Sequence, residues 1–477
     1  MKSALLFKDV NFSYSPSGKS RELAGVNGEI EAGKITVLTG VSGCGKSTLL
    51  YLAAGIYPQN AGTLISGHIT MEGIDPASLP SHRRCRLVGM MFQNPELQFC
   101  MDTVENEIVF CLENVQTPSQ KMAQIIDEAL DSCSISHLRL RSLYSLSGGE
   151  KQKVMLACIV ALRPKWLLVD EPFANIDDDS AAQIAKSLIR MNREHATGIV
   201  AVDHRLDHWI ATADYLQIVG AKGSLLEKID ITKVQPAQIA ALGISMPGQN
   251  YQLPQIPPAA AEELLVLNGI TLDFGKHRIL NDLKCGFQKG KIYAIVGSSG
   301  CGKSTLFSVL SGVRRANGKI IFGGKLFDAH KRRRMKGVAY VTQNPQDQFI
   351  AETVFDEITA GLKNKLNPNT LEKEAEKLLR EINLWNYRKV SPYRLSQGQQ
   401  RRLGVAALLA IPCGLLVCDE PTYAQDRKNT IAIMDTLQNA ARKKGISVIF
   451  STHDRQLAKD YADISLEMTE GKLNEIT

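Results

Sequence analysis

Two stretches of this chain read Gly-x-x-x-x-Gly-Lys-Ser, at Gly40–Ser47 and again at Gly297–Ser304. In such a run the glycines let backbone N–H groups wrap a phosphate chain, and the helix that follows adds positive potential at its N-terminus. Lys46 and Lys303 would reach the β- and γ-phosphates, while the hydroxyls of Ser47 and Ser304 suit Mg2+. Ser42, Gly43, Cys44, Gly45 and Thr48 complete the first loop; Ser299, Gly300, Cys301, Gly302 and Thr305 complete the second. A small side chain that fits the loop explains Cys44 and Cys301 better than redox sensing does.

Downstream of each loop an apolar run ends in an acidic pair, Asp170-Glu171 and Asp419-Glu420. One carboxylate can hold Mg2+ and the next can polarise a water for attack on a γ-phosphate. His204 and His453 each stand 34 residues past their Asp, which points both imidazoles toward phosphate. Ser147-Gly148-Gly149-Glu150 and Ser396-Gln397-Gly398-Gln399 fit the S-x-x-E/Q capping box. That pattern serves a helix cap and an anion-binding N-terminus equally well. Tyr14 and Phe274 lie upstream of the loops at matching places, where an aromatic ring stacks on a base or fills core.

These residues are placed by a repeated set of elements. Lys46 and Lys303 are 257 residues apart, Gln93 and Gln343 are 250 apart, and Ser147 and Ser396 are 249 apart. A period this long means two copies of a whole domain. KITVLTG and KIYAIVG, WLLVDE and GLLVCDE, and GIVAVDH and SVIFSTH are apolar runs that read as buried parallel strands. Helical spacing separates them, as in Leu371, Ala375, Leu378, Leu379 and Ile382. The fold expected is α/β, two tandem P-loop domains, each with a mainly parallel sheet and its chemistry at the strand C-termini. The boundaries expected are 1–245 and 262–477, joined by a Pro-rich linker at 246–261. LLEKIDITKVQPAQIAALG, before the linker, suggests a short added helix.

Composition narrows the setting. Of 477 residues 44% are hydrophobic and 22% charged, which is ordinary globular usage. No apolar stretch approaches 18 residues, the first residues lack a secretory pattern, and ten cysteines form no C-x-x-C pair. A reduced, cytoplasmic protein is expected. The net charge of +7 selects no partner by itself. Basic runs at 82–86 and 331–336 are solvated faces or contacts for anionic lipid.

Taken together, these residues resemble the ATP-binding cassette (ABC) family over nearly the whole chain. The resemblance implies ATP and Mg2+ as ligands and a helical subdomain in each cassette. It makes LSGGE and LSQGQ the signature motif, with Ser147, Gly148, Gly149, Ser396 and Gly398 on ATP. It makes Gln93 and Gln343 the Q-loop, binding ATP and metal, with Asp170 and Asp419 beside Ser47 and Ser304 as the other metal ligands. His204 and His453 become the switch histidines, Tyr14 and Phe274 the adenine-stacking aromatics, Asp177 and Asp426 the D-loop acids. Glu171 and Glu420 become the general bases. Cassettes of this family pair head to tail, so one ATP site would join Lys46, Asp170, Glu171 and His204 with Ser396. The other would join Lys303, Asp419, Glu420 and His453 with Ser147. Gln397 departs from the signature's Gly and Phe274 loses the tyrosine hydroxyl, so the two sites are expected to be unequal.

QNPELQF and QNPQDQF, each followed by acids (Asp102, Glu105, Glu107; Glu352, Asp356, Glu357), look like the ATPase components of energy-coupling-factor (ECF) importers. That resemblance implies uptake of a vitamin, a vitamin precursor or a transition metal ion. It implies a transmembrane coupling protein, whose basic helices the acids would face, and a small membrane-embedded substrate-binding subunit. It places the chain peripherally on the cytoplasmic side of the cell membrane, with no nucleic acid partner. The alternatives are a tandem ATPase of a sugar or peptide importer, or a soluble ribosome-associated ABC ATPase.

Overall fold

The structure, a computed structural model, describes residues 4–15, 21–41, 43–95, 98–173, 176, 178–204, 206–235, 239, 244, 262–275, 277–298, 300–330, 335–362, 368–422 and 425–476. Ser42, Asp177, Ser299, the linker expected at 246–261 and the basic run 331–334 lie outside the described residues. The chain divides into two compact units, Met1–Pro247 and Gly248–Thr477.

The first unit runs β1 (Ala4–Ser13), β2 (Leu23–Glu31), β3 (Ile35–Thr39), α1 (Lys46–Ala53), β4 (Thr63–Met71), α2 (Ser81–Leu87), β5 (Val88–Met91), α3 (Val104–Asn114), α4 (Ser119–Ser132), α5 (Gly148–Leu162), β6 (Trp166–Asp170), α6 (Asp178–His195), β7 (Gly198–Val202), β8 (Tyr215–Val219) and β9 (Leu225–Asp230). Its main sheet has the order β5-β6-β7-β3-β8-β9, parallel except for β9, and a second, antiparallel sheet has the order β2-β1-β4.

The second unit runs β10 (Glu263–Phe274), β11 (His277–Gln288), β12 (Ile292–Val296), α7 (Lys303–Leu310), β13 (Asn317–Phe322), β14 (Lys325–Asp328), β15 (Val338–Val341), α8 (Val354–Ala360), α9 (Pro368–Glu381), α10 (Gln397–Leu409), β16 (Leu415–Cys418), α11 (Arg427–Lys444), β17 (Ser447–Ser451), α12 (Arg455–Tyr461), β18 (Ile464–Thr469) and β19 (Lys472–Ile476). Its sheets repeat the plan, β15-β16-β17-β12-β18-β19 and β11-β10-β13-β14.

The central strands are apolar throughout because both of their faces are covered. On β6, Leu167 and Val169 join one core while Trp166 and Leu168 join the other, as the alternation of strand side chains demands. On β16, Leu415 and Val417 divide from Leu416 and Cys418 in the same way. Ala375 and Leu379 of α9, with Ile382 just past it, are buried in a separate helical core with Val354, Ile358 and Leu403. Losing a side chain such as Leu379 to Ala would cost about 2–5 kcal/mol.

Two features differ from expectation. Residues 225–230, the start of the stretch expected to add a short helix, form the strand β9; only Ile229 of them is buried, and edge pairing with β8 holds the segment, while Ile239 further on is helical and most of its neighbours lie outside the described residues. The antiparallel sheets were not anticipated. Irregularities in β1 between Phe7 and Val10, and in β10 between Leu267 and Ile270, break the alternation that would have marked them.

Candidate functional site

In the first unit β3 ends at Thr39 and the chain turns through Gly40 to the N-terminus of α1, capped by Gly45 at φ 108. A Cβ on Gly40 would lie 2.2 Å from the Val219 carbonyl oxygen, so only glycine fits the turn. Gly43 has open space around it, so the crown of the loop is accessible. Lys46 Nζ donates to the carbonyls of Gly40 (2.9 Å) and Val41 (3.0 Å), folding over the loop where an anion would sit. Cys44 is buried, and its sulfur lies 3.7 Å from that ammonium.

Adjacent parallel strands bring the other groups to this loop. Asp170 ends β6, with its Oδ1 accepting from Ser47 Oγ (3.0 Å) and its Oδ2 from Tyr51 (3.3 Å). Burial, with the neighbouring Glu171 charge, pushes the Asp170 carboxyl up to about 7. Glu171 receives Gln93 Nε2 at 2.6 Å and lies 3.2 Å from His204 Nε2. Five groups from four segments therefore form one bonded cluster: Ser47, Asp170, Glu171, Gln93 and His204.

The second unit builds the cluster with different supports. Lys303 Nζ donates to Gly297 (2.7 Å) and Ser298 (2.9 Å), and Gly302 caps α7 at φ 112. Asp419 accepts from Ser304, from Ser451 Oγ at 2.7 Å and from Tyr340 at 3.4 Å. Burial raises its carboxyl above the usual range. Burial also opposes ionisation of Glu420, but the hydrogen bond and charge of His453, with Lys303 and Arg401, outweigh it and hold the carboxyl below its ordinary value. His453 Nε2 lies 2.7 Å from Glu420 Oε1. Gln343 is exposed, and it is its backbone carbonyl that is held, by Arg401 Nη2 at 2.8 Å. Glu171 and Glu420 both adopt left-handed backbone, φ 49 and φ 48. Such a conformation costs a glutamate of order 1–3 kcal/mol and recurs where geometry matters to chemistry.

Ser147 and Ser396 cap α5 and α10 with complete capping boxes, closed by Glu150 and Gln399. Both serines are exposed, Gly148 is half-buried, and Gly149 and Gly398 are packed against Ser180 and Gln425. Asp426 caps α11 through Asn429 N–H (2.8 Å). Tyr14 is half-exposed, shares a 2.8 Å hydrogen bond with Thr48 Oγ1 and meets the edges of Phe12 and Tyr57. Phe274 lacks that hydroxyl, so Thr305 has no such partner from it. The Arg314 guanidinium lies 5.0 Å from the Phe274 ring centre. The two residues, with Leu272, Asp273 and Arg315, line a cleft of about 550 Å³.

Sequence reading missed Tyr51, Tyr340, Ser451 and Arg401. Tyr51 stands four residues after Ser47 on α1, hence on the same face, which was a readable signal. The other three reach the site from β15, β17 and α10, where nothing in the local sequence marks them.

The acids after the Q-loop position are a correction. Glu107 and Glu357 are buried and spent on their own loops, accepting the N–H groups of Cys100 and Met101 and of Ile350 and Ala351. Glu105 pairs with Arg139 at 2.6 Å, and Asp356 accepts from Thr353. Asp102 and Glu352 alone of the six are exposed. On the basic run 82–86, Arg84 and Arg86 donate to the carbonyls of Gly55 and Val115.

The site fits Mg2+ with nucleotide phosphates. Each unit offers a hydroxyl and a buried carboxylate, hard oxygen donors, beside a cradle of backbone N–H groups. Among the described residues no group of three or more His, Cys, Asp or Glu could hold a metal.

The chain matches the family model described as ABC transporter over residues 23–174 and 280–423. It is 32% identical to "Putative HMP/thiamine import ATP-binding protein YkoD" of Bacillus subtilis (strain 168), over 96% of this chain and 88% of that protein. A "Putative ABC transporter ATP-binding protein" of Methanosarcina mazei is 29% identical over 98% of this chain and 88% of its own length. Among solved structures, one of archaeal ribosomal stalk protein aP1 with the archaeal ribosome recycling factor aABCE1 gives a TM-score of 0.63 at 18% identity. It covers 98% of this chain and 89% of that one, a likeness of fold alone.

Proposed function

We propose a specific role for this chain, which belongs to the ABC transporter family and is a tandem ATPase of it: it is the energy-coupling ATPase of an ECF-type importer. The cargo is a vitamin, a vitamin precursor or a transition metal ion. The observation that carries this reading is the similarity, over nearly the full length, to a protein named for HMP/thiamine import, which favours the vitamin branch.

In this reading ATP occupies two composite sites, each joining the phosphate cluster of one unit to the signature serine of the other. The hydrogen bonds of Ser147 and Ser396 run to Glu150 and Gln399 of their own capping boxes, which leaves the exposed helix N-termini able to take an anion. Ser47 with Asp170, and Ser304 with Asp419, hold Mg2+, assisted by Gln93 and Gln343; the cation supplies neutralisation of phosphate charge. Glu171 and Glu420 take a proton from the attacking water, and His204 and His453 hold these carboxylates in place.

The membrane partner docks on the loops after Gln93 and Gln343. Ile350 on the second of these loops is 82% exposed; Tyr144 and Tyr393, 86% and 55% exposed, stand just before the signature serines on turns that reach those loops through Leu143 N–H to the Asp102 carbonyl and Tyr393 OH to the Phe349 carbonyl. Exposed apolar side chains in such positions suit a protein contact, with Asp102 and Glu352 available to basic residues. No described helix is long and apolar enough to cross a membrane; in this reading separate membrane subunits carry the cargo, and the chain binds on their cytoplasmic side.

The test is affinity purification of the tagged chain from detergent-solubilised cells. A multi-spanning coupling protein with a small membrane subunit is the expected recovery. A conventional permease pair would move the chain to another importer class. Ribosomal proteins without a membrane partner would refute transport.

A further inference from the structure

The two units join the same two loops by different atoms. In each, adjacent parallel strands end beside the site, β5 and β6 in the first and β15 and β16 in the second. The residues just beyond are Gln93 and Glu171 in one unit, Gln343 and Glu420 in the other. In the first unit the Gln93 side chain itself reaches Glu171, at 2.6 Å. In the second unit Gln343 is exposed, and Arg401 spans the loops instead. Arg401 is 1% exposed; its Nη1 donates to the Glu420 carbonyl and its Nη2 to the Gln343 carbonyl at 2.8 Å.

The corresponding position of the first unit, 249 residues earlier, is Gln152. Its Nε2 reaches only one of the two peptides, the Gln93 carbonyl, at 3.3 Å. An amide on a shorter side chain cannot hold both carbonyls in the fixed geometry of a planar, permanently charged fork. A buried guanidinium also makes the link stiff, since releasing either carbonyl would leave one of its buried N–H donors unsatisfied.

We propose that Arg401 is a positioning residue of the second unit, fixing the left-handed turn that carries Glu420 to the Gln343 loop. The first unit makes this link through Gln93, with Gln152 on one carbonyl only, and among its described residues no guanidinium spans the two loops. The inference rests on the reading of Glu420 as the general base. Displacement of the Gln343 loop is thereby transmitted to Glu420 through one side chain.

The experiment is steady-state ATP hydrolysis by the full chain with Mg2+, beside thermal melting. Arg401→Gln installs the residue that the first unit already accommodates. It should lower kcat by about tenfold, as expected for loss of a charged hydrogen bond, and leave KM for ATP within twofold. Arg401→Lys keeps the charge but not the fork and should fall between the two. Combined with Glu420→Gln, Arg401→Gln should cause no further loss, because the two act on one group. Arg401→Gln with unchanged kcat and only a lower melting temperature would overturn the proposal. So would a loss that multiplies with that of Glu420→Gln. Unchanged turnover in Glu420→Gln itself would overturn the reading of Glu420 and the proposal together, whereas the other two results overturn Arg401 alone.

Discussion

Ser451 offers a sharp perturbation, because its hydroxyl holds both acids of the second unit. Its Oγ donates to Asp419 Oδ1 at 2.7 Å and accepts the Glu420 N–H at 2.9 Å, and the residue is fully buried. In the first unit the corresponding residue is Val202, whose carbonyl takes the Glu171 N–H at 2.9 Å. Ser451→Ala removes a hydrogen bond to a buried carboxylate, worth about 1.5–3 kcal/mol. It also strands the Glu420 amide unless that amide finds a backbone carbonyl, as Glu171 does, adding up to about 1–3 kcal/mol. A total of about 1.5–6 kcal/mol should lower the melting temperature of the second unit by about 3–24 °C at its size. Asp419 loses one of the hydrogen bonds that oppose its raised pKa, so it should move further up. Hydrolysis should then need more Mg2+ at neutral pH. Calorimetry of the full chain in EDTA, paired with Mg2+ titration of ATPase rate, measures both effects. A melting temperature within about 1 °C of the parent would refute the assignment of Ser451, since no smaller loss follows from the lower limit of these terms.

Glu420→Gln should lower ATP turnover more than Glu171→Gln, because Gln397 interrupts the signature that would serve the site of Glu171; equal losses in purified protein would remove the case for unequal sites. Asp170 has a folded pKa near 7, above its unfolded value, so its contribution to stability is present at low pH and lost as pH rises through about 7. Asp170→Asn should therefore flatten the decline in metal-free stability between about pH 4 and pH 7. Denaturant melts across that window would show an unchanged slope if Asp170 were ordinarily titrating.

Much of the site was legible in one dimension because phosphate binding is done by backbone. A Gly-rich turn between a strand and a helix needs particular residue types at fixed spacing, so Gly40–Ser47 and Gly297–Ser304 carry their geometry with them. The same holds for the capping boxes at Ser147 and Ser396, which are local hydrogen-bond patterns, and for the apolar central strands. Tertiary structure alone decided what supports the acids. Tyr51 reaches Asp170 from a helix, while Tyr340 reaches Asp419 from a neighbouring strand, so the same contact is made from non-corresponding positions. Arg401 and Ser451 act across strands distant in sequence. Glu107 and Glu357 looked like surface acids because charge is read without burial, yet two backbone N–H groups each draw them inward. Sequence determined which residues could touch phosphate. Packing determined which of the remaining polar groups are spent inside the protein and which are left for a partner, because desolvation and hydrogen-bond satisfaction depend on neighbours that only the fold supplies.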